Sequence, residues 1–254
     1  MFPLPYEAPL DHLLYALFAL EWALLGGGLL LGRLNSERTG RLPRPLRILL
    51  SALLVVAAFL QWRYGRGPGA VRLYGQLIFL GMTASFVGDL IMARLIPVPN
   101  RLIFGMAVFG IGHSFYVAAF AHLLRKSAPV RPAVAAIVSA AVLAVGIGAW
   151  YGFVRNPDRG RAINIGSLFY GLLFGFASSL AILLALVNPH YVSLAAGSLL
   201  FMLSDVILGS WVIRGRAWTG VNDVVWVTYV SGQLLIVYSV AAALNAWHGM
   251  PGLA

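Results

Sequence analysis

Cysteine is absent from the 254 residues, which excludes disulfides, thiolate metal sites and cysteine nucleophiles. Charge is scarce: Asp, Glu, Lys and Arg make up 10% of the chain, against roughly 25% in a soluble globular domain. The alternating segments of about ten residues that build an outer-membrane barrel are missing. So are a Gly-x-Ser-x-Gly elbow, a His-Glu-x-x-His pair, a His-x-x-x-His pair and a Gly-rich phosphate loop. His12, His122, His190 and His248 fall at or beyond the ends of the apolar runs, which argues against a multi-histidine metal site. No cofactor and no metal are expected, and any catalysis rests on carboxylates.

What is present is apolar length. Hydrophobic residues are 60% of the chain, in runs near the ~20 residues that cross a hydrocarbon core. An all-α, polytopic membrane protein follows, with predicted spans at about 13–31, 46–62, 73–93, 102–124, 133–153, 162–187, 191–213 and 224–247. Pro43, Pro45, Pro68, Pro97, Pro99, Pro129, Pro132, Pro157 and Pro189 are read as lying between spans. Short connections make residues 1–254 one compact eight-span domain. The first run follows Glu7 and Asp11 rather than a basic region, so it reads as a retained span and not a signal peptide.

The 18 Lys and Arg residues sit between the apolar runs, where they meet lipid headgroups and not nucleic acid. Twelve lie in the loops after spans 1, 3, 5 and 7, and six on the opposite side. That bias predicts a cell-membrane protein with both termini outside and the odd-numbered loops in the cytoplasm.

Two of the few acids stand inside spans in similar surroundings: Ser85-Phe86-Val87-Gly88-Asp89-Leu90-Ile91 and Phe201-Met202-Leu203-Ser204-Asp205-Val206-Ile207. An ionisable side chain there costs at least ~2.5–3.5 kcal/mol on insertion scales, so it is a functional-site hypothesis. Asp89 lies five residues before Arg94 and Asp205 nine before Arg214. At 1.5 Å per residue both sit roughly 7–14 Å from the cytoplasmic boundary, so the two can meet. Small residues recur on both faces, with Gly81, Ser85 and Gly88 beside Asp89 and Gly197 and Gly209 beside Asp205, which turns both acids toward the bundle. An acid that only bonds to neighbouring helices is the plainer alternative; the matched pair argues against it. Gly112-His113-Ser114-Phe115-Tyr116-Val117 parallels Gly232-Gln233-Leu234-Leu235-Ile236-Val237, a weak sign that spans 3–4 and 7–8 form a parallel repeat.

Other polar residues within spans are His113, Tyr116, Asn164, Tyr170, Ser204, Tyr229 and Gln233. A lone buried His is more often a satisfied core residue than a base, and Gln233 reads as an interhelical hydrogen-bonder. Glu21 is a third intramembrane acid, with Gly26 to Gly28 allowing close packing nearby. Asn222 and Asp223 are expected to cap span 8.

These motifs resemble the YhhN family of integral membrane proteins. Ser85 to Asp89 with Gly112 to Tyr116 is similar to its first signature, and Gly197 to Asp205 with Tyr229 to Ile236 to its second. Arg44-Pro45-Leu46 is similar to the family's Lys-Pro-hydrophobic start, with Arg for Lys. The resemblance implies a lysoplasmalogenase, which hydrolyses the vinyl-ether bond of a lysoplasmalogen to a fatty aldehyde and a glycerophospho-headgroup. It puts Asp89 and Asp205 at the catalytic acidic positions. Gln233 departs from relatives with His there, which argues against proton transfer at that position.

Vinyl-ether hydrolysis needs a proton donor to carbon, a negative charge near the resulting oxocarbenium ion, and water. Two carboxyl groups sharing a site can supply the first two. His113, Tyr116, Asn164, Tyr170, Ser204, Tyr229 and Gln233 are the candidates to bind or orient the membrane lipid substrate. Arg44 is the candidate for its phosphate. The competing class is a proton-coupled or lipid-handling transporter, since intramembrane acids also mark proton relays. Against it, neither acid-bearing span has a proline break.

Overall fold

The computed structural model describes residues 4–248, and all regular structure among them is helical. In chain order the elements are α1 (Leu10–Leu31), α2 (Arg44–Tyr64), α3 (Gly69–Met92), α4 (Arg101–Lys126) and α5 (Pro132–Ala149, ending in a π turn, Trp150–Val154). Then come α6 (Arg161–Val187), α7 (Val192–Val212, entered through a 3-10 turn at Pro189–Tyr191), α8 (Val221–Val237) and α9 (Ser239–His248). Eight helical segments are long and apolar enough to cross a membrane, α8 and α9 together forming the last. The predicted all-α, eight-span bundle is therefore the observed fold, with ends shifted by a few residues.

The helix starts show where local chemistry refined the reading. Asn100 caps α4, its side chain accepting from the Leu102 and Ile103 amides. Pro45 and Pro132 are not between spans but in the first turns of α2 and α5, where a missing N–H costs nothing. Asn222 and Asp223 do not cap α8, which starts after Gly220 in the left-handed region (φ 83°). Asp223 instead reaches the α1–α2 loop, accepting from the Arg41 amide at 2.6 Å and the Leu42 amide at 3.3 Å and pairing with the Arg41 guanidinium at 3.3 Å.

Packing sorts the helices. α8 is the axis, with 78% of its span buried, whereas no residue of α5 is buried. α3 lies along α4, and α7 along α8, through matched glycine contacts. A Cβ on Gly112 would stand 3.0 Å from the Gly81 carbonyl oxygen. One on Gly232 would stand 2.8 Å from both the Gly197 carbonyl oxygen and the Phe201 amide nitrogen. Such approach, possible only without side chains, lets membrane helices pack backbone to backbone. The last span bends at Tyr238, whose hydroxyl donates to the Leu14 carbonyl at 2.6 Å. At the same break Ser239 pairs with Tyr74 at 2.6 Å.

Candidate active site

α3 and α7 carry their aspartates to one cavity of about 650 Å³, which both Asp89 and Asp205 line. Its mouth is at the bundle end formed by the α1–α2 and α3–α4 loops, where Asn35, Glu37, Arg44, Arg94 and Arg101 border it. A second, apolar space of about 90 Å³ lies among α4, α5, α6 and α7, lined by residues such as Met106, Trp150, Phe174 and Met202. Asp205, Met92 and Phe109 border both, so the apolar space adjoins the larger cavity at Asp205.

Each carboxylate is held by a tyrosine from another helix. The Tyr229 hydroxyl of α8 donates to Asp89 Oδ2 at 2.7 Å, and the Tyr170 hydroxyl of α6 donates to Asp205 Oδ2 at 2.7 Å. Asp89 Oδ2 also accepts from Ser51 of α2 at 2.6 Å. His113 Nε2 faces Asp205 Oδ2 at 3.6 Å, beyond hydrogen-bond reach, and its ring is stacked on Phe174 at 4.2 Å between centroids. No hydrogen bond joins the two carboxylates. Phe201 packs edge-on against both His113 and Tyr229, so one ring separates the histidine of α4 from the tyrosine of α8.

Of the other residues proposed from sequence, Ser204 borders the cavity while its hydroxyl donates to the Val225 carbonyl. Tyr116 and Gln233 pair with each other at 2.7 Å, fully buried behind the cavity wall. Arg44 is exposed at the mouth and donates to the Ala93 carbonyl at 3.2 Å. Asn164 is not brought to the carboxylates: its side chain is taken up by the loop before α6, bonding the Asn156 amide and the Asn156 and Arg159 carbonyls. Glu21 is buried on α1 with neither carboxyl oxygen hydrogen-bonded, and borders neither cavity.

Sequence reasoning missed Ser51 and the placement of Arg47. Ser51 is a single hydroxyl in the apolar run Leu49-Leu50-Ser51-Ala52-Leu53, the one mark in the sequence that singles it out. Arg47 was read as a loop charge; it stands in the first turns of α2, half-buried against the cavity.

The fold and the site define a polytopic helical membrane protein with two separately anchored carboxylates on an internal cavity that has a basic mouth. The chain belongs to the YhhN family, whose model matches residues 44–240, from the start of α2 into α9 and so without α1. That family is generally one of lysoplasmalogenase-type hydrolases. No curated protein and no solved structure matches the chain.

Proposed function

We propose that this protein is an intramembrane lysoplasmalogenase, a single eight-span domain with its cavity mouth toward the cytoplasm. The observation that carries the reading is that Asp89 and Asp205 line one cavity, each with its own tyrosine donor and with no bond between them. A space between two carboxyls, with an apolar recess on one side and an arginine-bordered mouth on the other, suits a lipid with one chain and a phosphate.

The alkenyl chain lies in the apolar recess, which puts the vinyl carbons beside Asp205. The Asp205 carboxyl gives its proton to the outer alkene carbon, leaving an oxocarbenium ion at the carbon bonded to oxygen. Asp89, whose Oδ2 accepts from the Ser51 and Tyr229 hydroxyls, faces that cation. Water adds to the cationic carbon and passes a proton to Asp89. The hemiacetal then collapses: its hydroxyl proton returns to Asp205 as the proton on Asp89 goes to the departing glycerol oxygen. Fatty aldehyde and glycerophospho-headgroup leave, and both carboxyls are reset. Tyr170 and Tyr229 orient the two acids, and His113 stands buried beside Asp205.

The transporter reading has less support, because α3 and α7 run unbroken past their aspartates. The test is to incubate the purified protein with a lysoplasmalogen and with an ester lysolipid in D₂O. Fatty aldehyde from the first, carrying one deuterium beside the carbonyl, is the expected product. Fatty acid from the second with no aldehyde from the first would replace this reading with an esterase.

A further inference from the structure

The cavity is lined by a cation, Arg47, that forms no direct ion pair with a carboxylate among the described residues. Arg44, Arg94 and Arg101 border it from exposed positions, but Arg47 is half-buried. Arg47 Nε is buried with no hydrogen-bond partner, and the guanidinium makes only a long contact, from Nη1 to Asn222 Oδ1 at 3.5 Å. Its carbon lies 5.5 Å from the centre of the Trp226 ring, which supports one side of the group. The nearby acids are already engaged: Asp223 with Arg41 and two loop amides, Asp89 with Ser51 and Tyr229. A partly buried charge without a direct ion pair is costly, and Arg47 lines the cavity, where a guanidinium fork can bind the oxygens of a phosphate or carboxylate.

Its register along α2 identifies the anion. Arg47 and Ser51 are four residues apart and share a helix face, and Ser51 is bonded to Asp89. Arg47 and Ser51 therefore leave α2 about one turn apart, ~6 Å along the axis. In a lysoplasmalogen a single three-carbon glycerol unit separates the vinyl-ether oxygen from the phosphate. We propose that Arg47 is the phosphate anchor of this cavity, holding a lysophospholipid so that its glycerol spans one turn of α2 between anchor and carboxylates. This rests on the lysolipid reading above and moves the phosphate contact from the exposed Arg44 to the deeper Arg47. Arg47 then sets substrate register as well as affinity: a phosphate held one turn away presents the vinyl ether, and not the chain, to the aspartates.

The experiment pairs two substrates with the same alkenyl chain, a lysoplasmalogen and a phosphate-free 1-alkenylglycerol. Arg47→Gln is expected to lower kcat/KM for the first about 10- to 100-fold, through KM, the worth of hydrogen bonds to a charged group. The same variant spares hydrolysis of the alkenylglycerol, which a misfolded protein or a disturbed Asp89 would not. Arg47→Lys, which keeps charge but loses the fork, falls between wild type and Arg47→Gln. Equal losses on both substrates, or no loss on the lysoplasmalogen, would overturn the assignment. A parallel arm measures binding of an uncleavable alkyl-ether lysophospholipid, an alkylglycerol and inorganic phosphate to wild type and Arg47→Gln. Selective weakening of the lysophospholipid supports the anchor even if wild type cleaves no vinyl ether, an outcome that would remove only the hydrolase reading. Inorganic phosphate binding as tightly as the lysophospholipid would reassign Arg47 to a free anion and overturn the lipid proposal.

Discussion

Asp89 and Asp205 each follow a glycine by eight residues, Gly81 and Gly197, and each of those glycines meets another on the next helix, Gly112 and Gly232. On that correspondence His113 of α4 matches Gln233 of α8, and Phe109 matches Tyr229. The two helix pairs are built alike, yet their contributions are exchanged. Tyr229, on the partner helix of α7, donates to Asp89 of α3; His113, on the partner helix of α3, faces Asp205 of α7. Neither pair completes a centre alone. The surroundings then diverge: Asp89 gains a second donor, Ser51, and Asp205 has Tyr170 and the edge of the apolar recess. A shared framework with unequal shells is what two acids with different tasks require, since groups in the same environment would compete for the same role.

The strongest way to test that inequality is to replace each acid in turn. Asp89→Asn and Asp205→Asn should each fold and each lose about 10²- to 10⁴-fold in vinyl-ether hydrolysis, the usual worth of a positioned acid or base. The two should separate on rescue. Added formate is expected to restore part of the activity of Asp89→Asn, where it can take up the proton from water, and none of Asp205→Asn, where a proton must be delivered to carbon. Rescue of both or of neither would show that the two acids are not divided in this way.

Removing the tyrosine hydroxyls is a smaller cut at the same comparison. Asp89 keeps Ser51 after Tyr229→Phe, whereas Asp205 keeps no hydrogen-bond donor after Tyr170→Phe, His113 being 3.6 Å away. Asp205 is left charged when its proton goes to carbon, and a hydrogen bond to a charged group is worth about 1.5–3 kcal/mol, so Tyr170→Phe is expected to lower kcat by roughly tenfold or more. Tyr229→Phe should cost less, and the double variant Ser51→Ala/Tyr229→Phe should match or exceed Tyr170→Phe. Steady-state rates on the lysoplasmalogen decide the order.

How much of this was open to sequence reading follows from the range of the interactions. Spans were legible because hydropathy over about 20 residues is a local property, and the aspartates because an acid in such a run is conspicuous. The depth match of Asp89 and Asp205 also followed from counting residues to the flanking arginines. Partners were not legible. Ser51 and Asp89 are 38 residues apart, Tyr229 and Asp89 are 140 apart, and nothing in an apolar helix tells which of its neighbours it will touch. The same limit explains Asn222 and Asp223: their position before an apolar run is that of a cap, but the tertiary fold brought the 33–43 loop within reach, and its amides took the carboxylate. Asn164 reads as a polar span residue able to bind or orient substrate, and the fold gives its side chain to backbone groups of a neighbouring loop.

The finest difference between the two helix pairs is how closely their backbones approach. A methyl group at Gly232 meets backbone on both nearest contacts, the Gly197 carbonyl oxygen and the Phe201 amide nitrogen at 2.8 Å, so α7 and α8 must part to admit it. At Gly112 the contacts are the Gly81 carbonyl oxygen at 3.0 Å and the Ser85 hydroxyl at 3.1 Å, and the hydroxyl can turn away. Gly148 on α5 has nothing within 4 Å of the added atom and serves as the control. Overpacking typically costs about 1–3 kcal/mol, so Gly232→Ala is expected in that range, Gly112→Ala below it and Gly148→Ala near zero. Thermal unfolding in detergent measures the series. Because Phe201 packs on both His113 and Tyr229, Gly232→Ala should also lower the hydrolysis rate, while Gly112→Ala, which leaves Phe201 in place, should not lower it as far. Equal losses of stability and rate in the two variants would mean that the glycine contacts are interchangeable, and that the difference between the two centres lies entirely in Ser51, Tyr170 and the recess beside Asp205.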